Sequence, residues 1–161
     1  MTVNAAKCNE VADAILANPY NFNMSMYTNV DPVKHDFRPD LTRWPHRLDY
    51  ALQEAIFVND LIEQDKSLCG TSGCIAGWTV FITPPEEYAG TLTLQQAAQD
   101  LLGLNEQEAE TLFLRSIEEL HRPEAAAKAL RLIGQGYTVA AAVESASIEF
   151  PWSEFDEEDD D

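Results

Sequence analysis

Eight residues, Ile75 to Ile82, constrain this chain more than any others, because they are apolar on nearly every side of a helix. A helix that is hydrophobic all round is stable only in the middle of a core, so the rest of the chain must wrap it. Pro84-Pro85 stops the run. Gly77 within it leaves room for a neighbouring helix to approach closely, and Thr71 is placed to cap it, with Cys74 in its first turn.

Candidate wrapping helices flank the run on both sides. Cys8, Val11, Ala12, Ile15 and Leu16 form one helical stripe that ends at Asn18-Pro19. Leu48, Ala51, Leu52, Ala55, Ile56, Asn59 and Ile62 repeat at the same spacing and predict a helix of about four turns. Thr93 and Gln96 read as a capping box ahead of Leu94, Ala97, Ala98, Leu101 and Leu102, with Gly103 as a left-handed stop. Asn105 and Glu108 open the next helix, with Ala109, Leu112 and Phe113 inward. After a short helical turn over 116–120, Pro123 suits the first position of another helix, which ends at Gly134 and Gly136. Thr138 caps a last one ending near Ala146. Tyr20, Phe22, Met24 and Met26 alternate with polar residues, which allows one short strand or hairpin segment.

The expected fold is therefore all-α, a single domain of six or seven helices over residues 1–149. A long connection containing three prolines, residues 28–46, interrupts it, and an aromatic-acidic segment, 150–161, follows as a disordered tail. No fixed-period self-similarity supports a repeat array.

Charge narrows the function classes. The 161 residues hold 10 Lys and Arg against 28 Asp and Glu, a formal charge of −18. Seven acids and no base lie in Glu154–Asp161, and the first 153 residues still carry −11. Such a surface repels phosphates, which argues against direct nucleic-acid binding and against anionic lipid. No run of about 18 apolar residues is present to span a membrane. MTVNAAKCNEVADAILA lacks a basic segment leading into an apolar one, so no secretory leader is read and the expected location is the cytoplasm.

The tail sets aromatic rings among its acids: Phe150, Trp152 and Phe155 beside Glu154, Asp156, Glu157, Glu158, Asp159, Asp160 and Asp161. These are the candidate partner-binding residues. Rings in an acidic block need an apolar pocket, either on a basic partner or on the domain itself.

Chemistry-bearing residues are few. Cys69 and Cys74 are the best candidates, and the helix start at Cys74 favours a thiolate there. His35 and His46 from the long connection complete a candidate Cys2His2 zinc set. The C-x4-C spacing of Cys69 and Cys74 is longer than the C-x2-C of zinc knuckles, and two structural thiols are the first reading of the pair, ahead of a disulfide, a metal site and a catalytic thiol. Cys8 reads as core packing. GxSxG, HExxH, P-loop and GxGxxG patterns are all missing, and His121 reads as a cap or surface residue, so the sequence does not support an enzyme.

Cys69-Gly70-Thr71-Ser72-Gly73-Cys74-Ile75-Ala76-Gly77-Trp78 resembles the C-G-T-x-x-C-I-A-G-W core of a group of small uncharacterised phage and bacterial proteins. Asn18-Pro19, Phe22-Asn23-Met24-Ser25 and the stretch from Ala98 to Phe113 fit the same group. The resemblance implies phage origin but no activity. The resulting expectation is a phage-encoded acidic interaction protein, a DNA mimic that blocks a basic host protein such as a host-defence factor. The alternatives are a metal- or redox-sensing module built on Cys69 and Cys74, and a structural accessory protein whose charge serves solubility.

Overall fold

Helix α3, Ile75–Phe81, has all seven of its residues buried. The computed structural model describes residues 2–31, 33–35, 37 and 49–151 of the chain. Within them α3 lies against α1 (Ala5–Ala17), α2 (Tyr50–Glu63) and α4 (Leu94–Leu102). Short α5 (Glu106–Glu110) runs into a π-turn at Thr111–Arg115, and α6 (Pro123–Gly134) and α7 (Val139–Glu149) complete the set. The most extensive packing is α1 on α6, then α6 on α7. Ala125, Ala126, Ala127 and Ala129 are all buried on α6, and such small side chains let helix axes draw together.

The all-α expectation holds, with seven helices among the described residues and one two-stranded antiparallel ribbon. The ribbon pairs β1 (Thr28–Val30) with β2 (Thr71–Gly73), placing Thr28 opposite Gly73 and Val30 opposite Thr71. The alternating segment 20–26 is thus not the main strand. Its Pro19–Asn21 part is a 3-10 turn, and only Phe22 joins, through a single bridge to Gly73. The asparagine breaks outweigh the period-two pattern there.

Several capping expectations hold. Gly103 adopts φ 73°, Asn105 and Glu108 form a complete capping box, Pro123 opens α6 and Thr138 caps α7. Four details differ. Thr93 caps α4, but Gln96 turns forward to donate to Asp100 at 2.8 Å, so half of the expected box is formed. Helix α7 runs three residues past Ala146, to Glu149. Leu16, expected on the buried stripe, is 42% exposed. Lys7 is buried instead, its ammonium 3.1 Å from Thr83 Oγ1 and 3.6 Å from Glu10. The fourth concerns the start of α3: Thr71 belongs to β2, and Cys74 itself is the N-cap residue.

Candidate functional site

The Cys69–Trp78 segment folds as a turn, a strand and a helix start, and most of its residues are consumed by packing. The Asn21 side-chain amide donates to the Leu68 and Thr71 carbonyls at 2.9 and 2.8 Å, while the Asn21 carbonyl accepts from the Trp78 indole at 3.0 Å. The Asn23 N–H donates to the Gly73 carbonyl at 2.9 Å and covers the outer edge of β2. On the opposite edge, buried Glu54 of α2 accepts from the Thr28 hydroxyl at 3.2 Å and from the Val30 N–H. Desolvation raises the Glu54 carboxyl pKa, and those two hydrogen bonds only partly offset it.

The motif glycines are there for space. A Cβ on Gly73 would meet the Phe81 ring at 2.8 Å and the Tyr27 carbonyl at 2.9 Å, and one on Gly77 would collide with the same Tyr27 oxygen. Close approach at Gly77 is thus real, but the neighbour is the backbone leading into β1, not a second helix. Trp78 stacks edge-on against Phe81 with ring centroids 5.2 Å apart.

The two cysteines of the motif part company. Both are free thiols. Cys74 is 1% exposed and lines a small apolar hollow of about 70 Å³ with Met24, Phe113 and Ile117. The N–H groups of Gly77 and Ala76 do favour its thiolate, as a helix start should, yet burial dominates and pushes the thiol up to about 11. The expected thiolate at Cys74 is therefore corrected: desolvation outweighs the helix terminus. Cys8 is likewise pushed up to about 11 by burial.

Cys69 is exposed, at the rim of a wide polar hollow of about 900 Å³. The segment 31–35 clamps onto its turn. The Asp31 N–H donates to the Gly70 carbonyl at 2.7 Å, and His35 Nε2 lies 2.7 Å from the Cys69 carbonyl. Lys34 Nζ donates to Cys69 Sγ at 2.9 Å. Gly70 makes that crossing possible, since at φ 87° a Cβ there would lie 2.9 Å from the Lys34 stem. His35 is held edge-on to Phe57 at 5.9 Å.

Of the zinc set, His35 and Cys69 are adjacent, but His35 spends Nε2 on a backbone oxygen and Cys74 lies in the core. His46 lies outside the described residues. Among the described residues no three His, Cys, Asp or Glu side chains gather as a metal would require. Of the tail set, Phe150 caps α7 and packs against the domain, with the Arg122 guanidinium 5.8 Å from its ring centroid. It is thus held by the body. Trp152, Glu154, Phe155, Asp156, Glu157, Glu158, Asp159, Asp160 and Asp161 lie outside the described residues.

A second hollow, about 410 Å³, is lined by Tyr27, Asp49, Gln95, Gln99 and Glu106. Its Asp49 carboxylate is engaged in structure: it caps α2 through the Leu52 N–H at 2.7 Å and reaches the Leu94 N–H of α4 at 3.4 Å. Sequence reasoning missed Lys34, Asn21 and Glu54. Only Gly70, a glycine in a turn, carried a local signal; the others act through partners 26 to 57 residues away. Among the described residues no helix is long and apolar enough to cross a membrane. No protein-family model, curated protein or solved structure matches the chain.

Proposed function

We propose that this chain is a protein-interaction module, not an enzyme, that covers a basic surface of the kind that ordinarily holds nucleic acid. The supporting observation is how its charges are paired. Among the described residues seven Lys and Arg stand against nineteen Asp and Glu. Five of those seven bases are engaged in ion pairs within the chain: Lys7 with Glu10, Arg115 with Glu110, Arg122 with Glu124, Lys128 with Glu149 and Arg131 with Asp13. Every helix except α3 carries at least one acidic residue. Of the nineteen described acids only Glu54 is buried, so the excess negative charge lies at the surface, which favours a basic partner and repels nucleic acid and anionic lipid.

With the phage-like motif, the partner class is a basic bacterial host protein, met in the host cytoplasm and blocked by occupancy of its DNA site. Electrostatic steering makes such association fast and strongly weakened by salt. Affinity capture at low salt, with partner identification by mass spectrometry, is expected to return a nucleic-acid-binding protein that high salt and competing duplex DNA both release. Failure to recover any basic partner at low salt overturns the reading. Within that complex, Trp152→Ala and Phe155→Ala are expected to weaken capture more than loss of any single tail acid, because aromatic anchors hold more binding energy than rim charges.

A further inference from the structure

The small apolar hollow beside Cys74 and the polar hollow of about 410 Å³ share a wall, the half-buried Tyr27. On the apolar side Met26 and Leu114 form the rim, and they are 37% and 44% exposed. Large apolar surface is therefore open to water there. The π-turn accounts for Leu114, because it buries Leu112 and Phe113 and leaves the next side chain at the lip. Methionine at such a rim adapts its shape to an incoming apolar group, and the Ser72 hydroxyl donates to Met26 Sδ at 3.6 Å. Across Tyr27 the chemistry changes. The Asp49 and Glu106 carboxylates lie among glutamine amides, and among the described residues no Lys, Arg or His lines either hollow. The Tyr27 hydroxyl donates to Gln95 Oε1 at 2.9 Å, which fixes the partition between the two. Asp49 keeps its capping contacts to Leu52 and Leu94, but a carboxylate has acceptor capacity left for a cation. Glu106 and Leu114 belong to one continuous stretch, α5 running into the π-turn, so a single border runs along both hollows.

We propose that these paired hollows dock a basic segment of a partner protein, with an apolar side chain on the Met26–Leu114 side of Tyr27 and a neighbouring Lys or Arg on the Asp49–Glu106 side. The proposal rests on the interaction reading above and deepens it, since it gives the acidic body a docking surface of its own besides the tail. Charge complementarity selects the occupant. An acidic segment, this chain's own tail included, is repelled by the two carboxylates, and nucleic acid is excluded in the same way. A wholly apolar segment would strip water from Asp49 and Glu106 without replacing it. A segment that is basic but lacks an apolar side chain leaves Met26 and Leu114 wet. Only a segment with both groups side by side satisfies both hollows: apolar burial supplies affinity, and the carboxylates steer the approach and set the register.

The test is amide NMR mapping of the full chain, titrated at low salt with capped synthetic peptides. One peptide carries Leu and Arg side by side, a second has each Leu replaced by Ser, and a third has each Arg replaced by Gln. The Leu-Arg peptide is expected to move amides on both sides of Tyr27, at 24–27, 95–106 and 113–117. It is expected to bind about fivefold more tightly than either control, the scale of one well-seated side chain. Leu114→Ser should weaken it about fivefold through lost apolar burial. Glu106→Gln should weaken it about threefold and flatten its salt dependence. Both of these side chains are exposed, and unchanged amide positions away from the hollows verify that each variant folds. Should one not fold, the wild-type titrations decide alone. Equal affinity for the Ser peptide, with shifts spread over the acidic surface, overturns the docking surface and leaves the interaction reading standing. Equal affinity for the Gln peptide overturns it as well. The interaction reading falls separately, on low-salt capture that returns no basic partner.

Discussion

Cys69 and Cys74 sit on one short motif, five positions apart, and differ in almost everything else. Cys74 begins a helix, yet its thiol is buried and pushed up to about 11. Cys69 has no helix behind it, but it is exposed and hydrogen-bonded to an ammonium. The difference teaches that a thiol's access to water follows the burial that the tertiary fold supplies, and that a favourable helix terminus is the weaker effect when water is excluded. The inward half of the motif, from Gly73 to Trp78, builds the core; the outward half, around Cys69 and Gly70, faces a groove.

The largest test of that division is Gly77→Ala. Its methyl group would collide with the Tyr27 carbonyl, which cannot swing aside as a side chain can. The gain in helix propensity does not offset this, and we expect a loss of about 3 kcal/mol or failure to fold, read by urea denaturation. A chain as stable as wild type would break the assignment of the inward half to packing. Next in size is the cysteine comparison. Cys74→Ser buries a hydroxyl in an apolar hollow and is expected to cost about 2 kcal/mol, whereas Cys69→Ser should stay within about 0.5 kcal/mol. Equal costs in the same denaturation series would erase the contrast on which the comparison rests.

The smallest effect concerns Glu54, which backs β1 beneath the motif. Its raised pKa means that the folded chain keeps this proton to higher pH than the unfolded chain does. The stability associated with the neutral carboxyl is complete below its ordinary value of 4.5 and is lost as pH rises through the folded value. Glu54→Gln keeps an acceptor for the Thr28 hydroxyl and the Val30 N–H without that loss. Its Tm relative to wild type is expected to climb as pH rises from below 4.5 toward neutral, and a pH-independent difference would show that Glu54 is not desolvated.

Much of the helical architecture was legible because it depends on near neighbours. Apolar spacing marked α1, α2 and α4, and Asn105, Gly103, Pro123 and Thr138 marked boundaries, since a cap acts within three or four residues. The all-apolar run from Ile75 announced the centre of the core, where α3 lies. The misreadings came where a distant partner intervened. Thr71, a plausible cap, was drawn into β2 by pairing with Val30, forty-one positions earlier. Gln96 preferred Asp100 to its own cap. The candidate zinc set assumed that thiols close in sequence point the same way, and burial separates them.

By itself, then, the sequence determined the helical class, the central run, most helix ends and the large excess of acidic residues, all properties of local spacing or composition. Only the tertiary structure decided that the motif's glycines admit a backbone carbonyl and an alkyl stem, that Cys74 is sealed in and Cys69 left open, and that Lys34 reaches across to it. Those outcomes depend on which groups exclude water from which others, and no spacing along a chain records that.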